Sequence, residues 1–238
     1  MRRIGFSTGA IAKGDFLSAL ASLRVFGIPV VELSALRLEE LDHLVESLPL
    51  LDLDGFEFVS FHAPSQFPVK HERYVIDQLR AVVDRAIPVV VHPDVISTPE
   101  AWVALGSQLL IENMDKRKSI GRTARELADL FCRFPDAGLC FDIGHARQVD
   151  PTMTEARLIL EAFGERLREI HASEVNTSSR HDPLSVYAMF AFHSVSSLIP
   201  ESVPVVLETL IDQGQSDILT EIERARKALD PQWVRAAG

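Results

Sequence analysis

Six residues able to ligate a metal or move a proton end six successive apolar runs: His62, His92, Glu112, Asp142, His171 and Glu208. The runs close as Phe61-His62, Val91-His92, Ile111-Glu112, Phe141-Asp142, Ile170-His171 and Leu207-Glu208. Carboxylates and imidazoles gathered without partners suffer desolvation and mutual repulsion, and a divalent cation removes that penalty by ligating them. Glu112, Asp142, His171 and Glu208 mix carboxylate oxygen with one imidazole. That donor set suits Zn²⁺, Mn²⁺, Co²⁺ or Fe²⁺ better than Ca²⁺ or a cysteine-type structural zinc. His62 and His92 read as ligands of a second ion or as hydrogen-bond donors to a substrate; the alternative is imidazoles that only fill space. His145, three residues after Asp142, is either a further ligand or part of a helix N-terminus. Glu32 either meets a substrate or pairs with a neighbouring Arg or Lys.

Elements must carry these residues to one place. Eight short apolar runs recur along the chain: Ile4–Ser7, Pro29–Leu33, Phe56–His62, Ile87–His92, Leu109–Glu112, Gly138–Asp142, Leu167–His171 and Val203–Glu208. Several are rich in Val and Ile without polar alternation, as strands buried on both faces are. Between them, apolar residues at helical spacing predict helices over Asp15–Phe26, Leu38–Leu48, Glu72–Ala86, Ala124–Phe134 (capped by Thr123) and Ser216–Leu229. Asp182 followed by Pro183 reads as a cap and first helical position, opening a helix to about Leu198. Strands alternating with helices imply a parallel sheet, and eight units in 238 residues is the count of an α/β, (β/α)8 TIM barrel forming one domain over 1–238. Its active site belongs at the C-terminal ends of the strands. An open doubly wound sheet is the alternative, but the chain has no GxGxxG, Walker A or GxSxG motif.

Composition narrows the partners. The 24 Lys+Arg against 34 Asp+Glu leave a formal net charge of -10, which argues against general affinity for nucleic acid or anionic membrane. A hydrophobic content of 47% excludes a disordered chain. Cys132 and Cys140 form no CxxC and are too few for a disulfide framework; they read as buried, reduced thiols of a cytoplasmic protein. No apolar run reaches membrane-spanning length, and Met1-Arg2-Arg3-Ile4 runs straight into a strand without a signal-peptide core. The expected partner is a small molecule, with nucleic acid disfavoured and no membrane; a homo-oligomer is compatible with the composition. The one basic cluster, Lys116, Arg117, Lys118, Arg122 and Arg125, follows Glu112 and offers counter-charge to a phosphate, or is a solvated face.

His62-Ala63-Pro64, His92-Pro93, Glu112-Asn113, Phe141-Asp142-Ile143-Gly144-His145, Ile170-His171 and Leu207-Glu208, in this order and spacing, resemble the xylose isomerase-like TIM-barrel superfamily. That group includes sugar isomerases, sugar epimerases and the endonuclease IV group. In its isomerases and epimerases, the positions matching Glu112, Asp142, His171 and Glu208 hold one divalent metal, and the two glutamates move protons at a carbonyl or hydroxyl carbon. In the endonuclease IV group the site holds three zinc ions, and positions matching His62, His92, His145 and His181 are ligands as well. That group carries Asp-Arg-His where this chain has Ser179-Arg180-His181, one carboxylate fewer. The segment that would probe a DNA duplex after His62 is also missing.

The resemblance implies a divalent-metal-dependent sugar or sugar-phosphate isomerase or epimerase, with one to three ions of Zn, Mn, Co or Fe per chain. Glu112 and Glu208 would be the catalytic pair. Glu32, Lys116 and Arg180 are the candidate substrate contacts. Two further readings stand beside it. Eight ligand-capable residues exceed the needs of one ion, which suits a multinuclear phosphoesterase of endonuclease IV type. A non-catalytic, metal-containing binding barrel is the third.

Overall fold

The computed structural model describes residues 2–211 and 215–233. All eight apolar runs form strands. They are β1 (Ile4–Ser7), β2 (Val30–Ser34), β3 (Phe58–His62), β4 (Val89–Val91), β5 (Leu109–Glu112), β6 (Gly138–Asp142) and β7 (Leu167–Ala172). After a two-residue hairpin, β8 (Glu174–Val175) with β9 (His181–Asp182), comes the last barrel strand, β10 (Val205–Leu207). The eight barrel strands close in the order β1-β10-β7-β6-β5-β4-β3-β2, and every neighbouring pair is parallel. This is the expected (β/α)8 barrel.

A strand's side chains alternate between its two faces, so β2 to β6 divide by parity. Odd-numbered residues such as Leu33, Phe61, Val89, Ile111 and Phe141 face the surrounding helices and join the main core. Even-numbered residues point inward, where Val90, Leu110 and Cys140 form a small apolar cluster of their own; Cys132, expected to be buried as well, is instead exposed on the Ala124–Arg133 helix. The same parity turns Glu32, Ser60, His62, Glu112 and Asp142 inward. No helix among the described residues is long and apolar enough to cross a membrane.

The helices lie close to the expected spans: Phe16–Val25, Leu38–Ser47, Glu72–Val83, Ala124–Arg133 and Gln215–Ala228. Thr123 does cap its helix, its hydroxyl accepting from the Glu126 amide at 3.2 Å. The helix expected from Asp182 is corrected. His181–Asp182 pairs antiparallel with Glu174–Val175, and the helix spans Val186–His193 with Ser185 as its cap. The Asp182 carboxylate is engaged across the hairpin, accepting from Asn176 Nδ2 at 2.7 Å. The Leu184 and Ser185 amides donate to Glu221 and Glu174 instead. Short helices at Thr8–Ala12 and Ile143–Val149 follow β1 and β6 directly; they are too brief for periodicity to reveal.

Candidate metal centre

The inward parity delivers the ligand-type residues to one mouth of the barrel. Each stands two positions beyond an inward interior residue on its own strand: Ser60 then His62, Val90 then His92, Leu110 then Glu112, Cys140 then Asp142, Glu169 then His171, Val206 then Glu208. A two-residue step returns to the same face about 6.5 Å higher. Glu112 sits at the centre of the group. Its Oε2 lies 3.0 Å from His92 Nε2 and 3.3 Å from His62 Nε2. Its Oε1 lies 3.2 Å from His145 Nδ1 and 3.6 Å from His171 Nδ1. Glu208 meets His171 Nδ1 at 3.6 Å and His181 Nδ1 at 3.4 Å.

Two donor groups therefore share Glu112. Glu112, Asp142, His171 and Glu208 each offer an atom within 4.8 Å of the others. His62, His92 and Glu112 do the same beside them. The residues fit divalent ions on a second ground. Asp142 Oδ2, Glu208 Oε2 and His171 Nδ1 are buried and have no hydrogen-bond partner among the described residues. A native interior rarely leaves that many polar atoms orphaned in one place without a ligand for them.

The protonation of these side chains follows from their burial and their neighbours' charges. Burial alone would lower the His62 pKa, but the charges of Glu32 and Glu112 and a hydrogen bond to Glu112 hold it up at about 9. Burial likewise opposes the charged form of His145, and Asp142 and Glu112 overcome it to about 10. His171 is held well above the usual imidazole range against its burial, with Glu32 and Glu208 among the causes. Burial pushes Asp142 up to about 7 despite His145, helped by the Glu208 and Glu112 charges. Glu208 falls to about 2 against its burial, because His171 and His181 face it.

Ligation requires neutral imidazoles. Metal uptake at neutral pH is thus expected to expel the protons of His62 and His171. Affinity should then rise with pH toward about 9, the His62 value, by roughly tenfold per pH unit for each proton displaced. Titration calorimetry in buffers of different ionisation enthalpy measures the release; a flat affinity with no protons released is the contrary result.

Neighbouring backbone sets the ligand positions. Asn113 Nδ2 donates to the Asp142 carbonyl at 2.8 Å, and the Asp142 amide donates to Asn113 Oδ1 at 2.8 Å. This two-point clamp ties the end of β5 to the end of β6. Asp142 also caps the Ile143–Val149 helix, its Oδ1 accepting from the His145 amide at 2.7 Å. His145 thus belongs to the first turn of that helix and to the ligand cluster at once. Gly144 packs so closely that an added Cβ would lie 2.4 Å from the Ser173 carbonyl oxygen and 3.2 Å from Asp142 Oδ1. Gly144→Ala is expected to cost about 1–3 kcal/mol by overpacking. The melting temperature should fall by roughly 2–4 °C for each kcal/mol, together with weaker metal uptake, both readable in one thermal scan series.

Ser7, His62, His92, Glu112, His145, His181 and Glu208 line a cavity of about 450 Å³ whose rim carries Arg117, Lys118 and Arg180. Arg180 is thus at the mouth. Lys116 is exposed and does not line the cavity; its neighbours Arg117 and Lys118 do. Arg117 pairs with Asp115 at 3.1 Å and Lys118 with Asp94 at 2.7 Å. Glu32 does not reach the cavity. It is buried below the mouth, with Oε2 at 3.0 Å from His171 Nε2, so its partner is an imidazole rather than an Arg or Lys.

Glu169 and Asn113 carry no reading as site residues in the sequence, yet both touch the centre. Glu169 was findable, because it stands two residues before His171 and so shares its face. Asn113 has only its place after Glu112 as a signal. His181 lines the cavity, its Nδ1 hydrogen-bonded to Ser173 Oγ at 2.8 Å. Ser179, where the endonuclease IV pattern has a carboxylate, lines the cavity and accepts from Gln148 Nε2 at 2.9 Å.

No family model matches the chain, and no curated protein matches it in sequence. Solved structures share its fold. Endonuclease IV from Thermus thermophilus superposes with a TM-score of 0.63 at 19% identity, over 95% of this chain and 98% of that one. A xylose isomerase-like TIM barrel protein from Mycobacterium smegmatis, in complex with magnesium, gives 0.57 at 13% identity, over 92% and 91%. A sugar phosphate isomerase/epimerase from Parabacteroides distasonis gives 0.53 at 11% identity, over 97% and 94%. The resemblance to xylose isomerase-like barrels is thus met at the level of the fold. Since both reaction classes occur on it, the fold does not choose between them.

Proposed function

We propose that the chain is a phosphoester hydrolase that works with at least two divalent ions at the barrel mouth. The observation that carries this reading is the division of the Glu112 carboxylate. One oxygen faces His62 and His92, and the other faces His145 and His171. A carboxylate whose two oxygens face two donor sets is suited to bridging ions. In the isomerase reading one of these oxygens would have to turn from its imidazoles to act as a base toward a substrate C–H. His62, His92 and Glu112 would hold one ion, and Glu112, Asp142, His171 and Glu208 the other. Bound divalent ions supply Lewis acidity toward a phosphoryl oxygen and neutralise its developing charge.

The chain's own residues supply the rest. Arg117 and Lys118, pinned by Asp115 and Asp94, and Arg180 put positive charge at the rim of an otherwise acidic protein, where a phosphate would dock. His181, held by Ser173, presents an imidazole inside the cavity to the ester oxygens. Walls formed by Leu36, Met114 and Leu210 limit the water around the scissile bond. The cavity suits a small phosphoester or the end of a strand better than a duplex gripped along its length.

A metal-dependent sugar or sugar-phosphate isomerase or epimerase is the second reading. It is favoured by the four-residue set alone, which is complete for one ion and contains two glutamates. One experiment separates the two. Chelator-stripped protein is reloaded with Zn²⁺, Mn²⁺ or Co²⁺, its ions are counted per chain, and it is assayed on p-nitrophenyl phosphate, bis-p-nitrophenyl phosphate and an oligonucleotide with an abasic site. Two or more ions with hydrolysis supports the proposal. One ion, no hydrolysis and interconversion of ketoses or their phosphates overturns it.

A further inference from the structure

One layer below the ligands, the barrel interior holds Glu32, Ser60, Cys140 and Glu169, all fully buried. They surround the lower edge of His171, whose ring is also stacked on His62 at 5.9 Å. His171 Nδ1 faces up toward Glu112 and Glu208, each at 3.6 Å. Its Nε2 faces down, 3.0 Å from Glu32 Oε2 and 3.7 Å from Glu169 Oε1. Glu169 Oε1 already accepts from Ser60 Oγ at 2.7 Å. Glu32 Oε2 and His171 Nε2 form no hydrogen bond among the described residues, because at this rotamer the angle between them is not that of a formed bond. Two carboxylates buried inside a barrel are costly unless something answers their charge. Here they converge on one ring nitrogen and cannot touch a substrate.

We propose that Glu32 is a positioning residue that keeps the proton of His171 on Nε2, so that Nδ1 is the nitrogen presented to the metal centre. An imidazole has one lone pair to give a metal, and the partner of its other nitrogen decides which one that is. A carboxylate in that role also fixes the ring's orientation and makes the ligand more basic. Glu169, anchored by Ser60, approaches the same nitrogen from further away. This inference rests on the metal-centre reading above.

The test has two parts. In the unsubstituted protein loaded with Zn²⁺, nitrogen-15 spectra should report His171 ligated through Nδ1 and protonated at Nε2; the reverse assignment overturns the proposal without any variant having to fold. With Co²⁺ as the probe, Glu32→Gln should weaken affinity about 10–100-fold and shift the cobalt absorption bands, whereas Glu169→Gln should change both less. Affinity and bands unchanged in Glu32→Gln, in a protein whose unsubstituted form takes up cobalt, overturn this inference alone. A thiolate-to-cobalt charge-transfer band that disappears in Cys140→Ser would also overturn it, because the interior layer would then itself be holding an ion. No ion uptake by the unsubstituted protein removes the metal-centre reading and this inference together.

Discussion

Glu112→Gln is expected to strip the centre of more than one ion at once and to lower phosphoester hydrolysis by on the order of 10³-fold or more, beyond the 10–100-fold typical of losing a residue that only supports a ligand. The carboxylate stands between His62 and His92 on one oxygen and His145 and His171 on the other. Gln keeps the shape but replaces one acceptor with an NH₂ group that only donates. It also removes the negative charge that both donor sets share. Ion content by elemental analysis and kcat on a chromogenic phosphodiester, measured on the same preparation, check the result. Full ion content with full activity would remove Glu112 from its bridging role. Loss of sugar isomerisation with the His62–His92 ion retained would favour the second reading.

Metal removal is expected to lower the melting temperature as well as abolish turnover. The mouth holds buried carboxylates and imidazoles with several orphaned atoms, and ions bound only by the folded state stabilise it by mass action. At a free ion concentration 100-fold above Kd, one site contributes about 2.7 kcal/mol. For a chain of this size that is roughly 5–11 °C, at 2–4 °C per kcal/mol. Scanning calorimetry with chelator, and again after readdition of ions, measures it. A melting temperature indifferent to both would mean that the donor clusters do not hold ions.

The barrel was legible because its physical signal is local. Eight runs rich in Val and Ile, each followed by a helical stretch, describe parallel strands buried on both faces. The six ligand-type residues were legible for the same reason, since they terminate those runs and such strands share one polar end. Where reading and structure differ at Asp182 and Glu32, a partner from outside the local pattern engages the residue. Asp182 looked like a cap, but Asn176 across a hairpin engages its carboxylate. Glu32 looked like a substrate contact, but it lies in mid-strand rather than at a strand end, and the barrel wall puts it beneath His171. Lys116 is exposed outside the cavity, whereas its neighbours Arg117 and Lys118 line it.

The amino-acid sequence alone determined the eight barrel strands and the identity of the residues that crown them. Those are consequences of hydrophobic runs and of the residues that end them, which need no distant information. Tertiary structure decided how the crown is shared out. Closure of the barrel brings β3 and β4 to one oxygen of Glu112 and β7 to the other. The same closure sets Glu32 of β2 against His171 of β7, although β3, β4, β5 and β6 all lie between them along the chain. Such distances depend on where eight strands meet around a ring, and no local pattern encodes them.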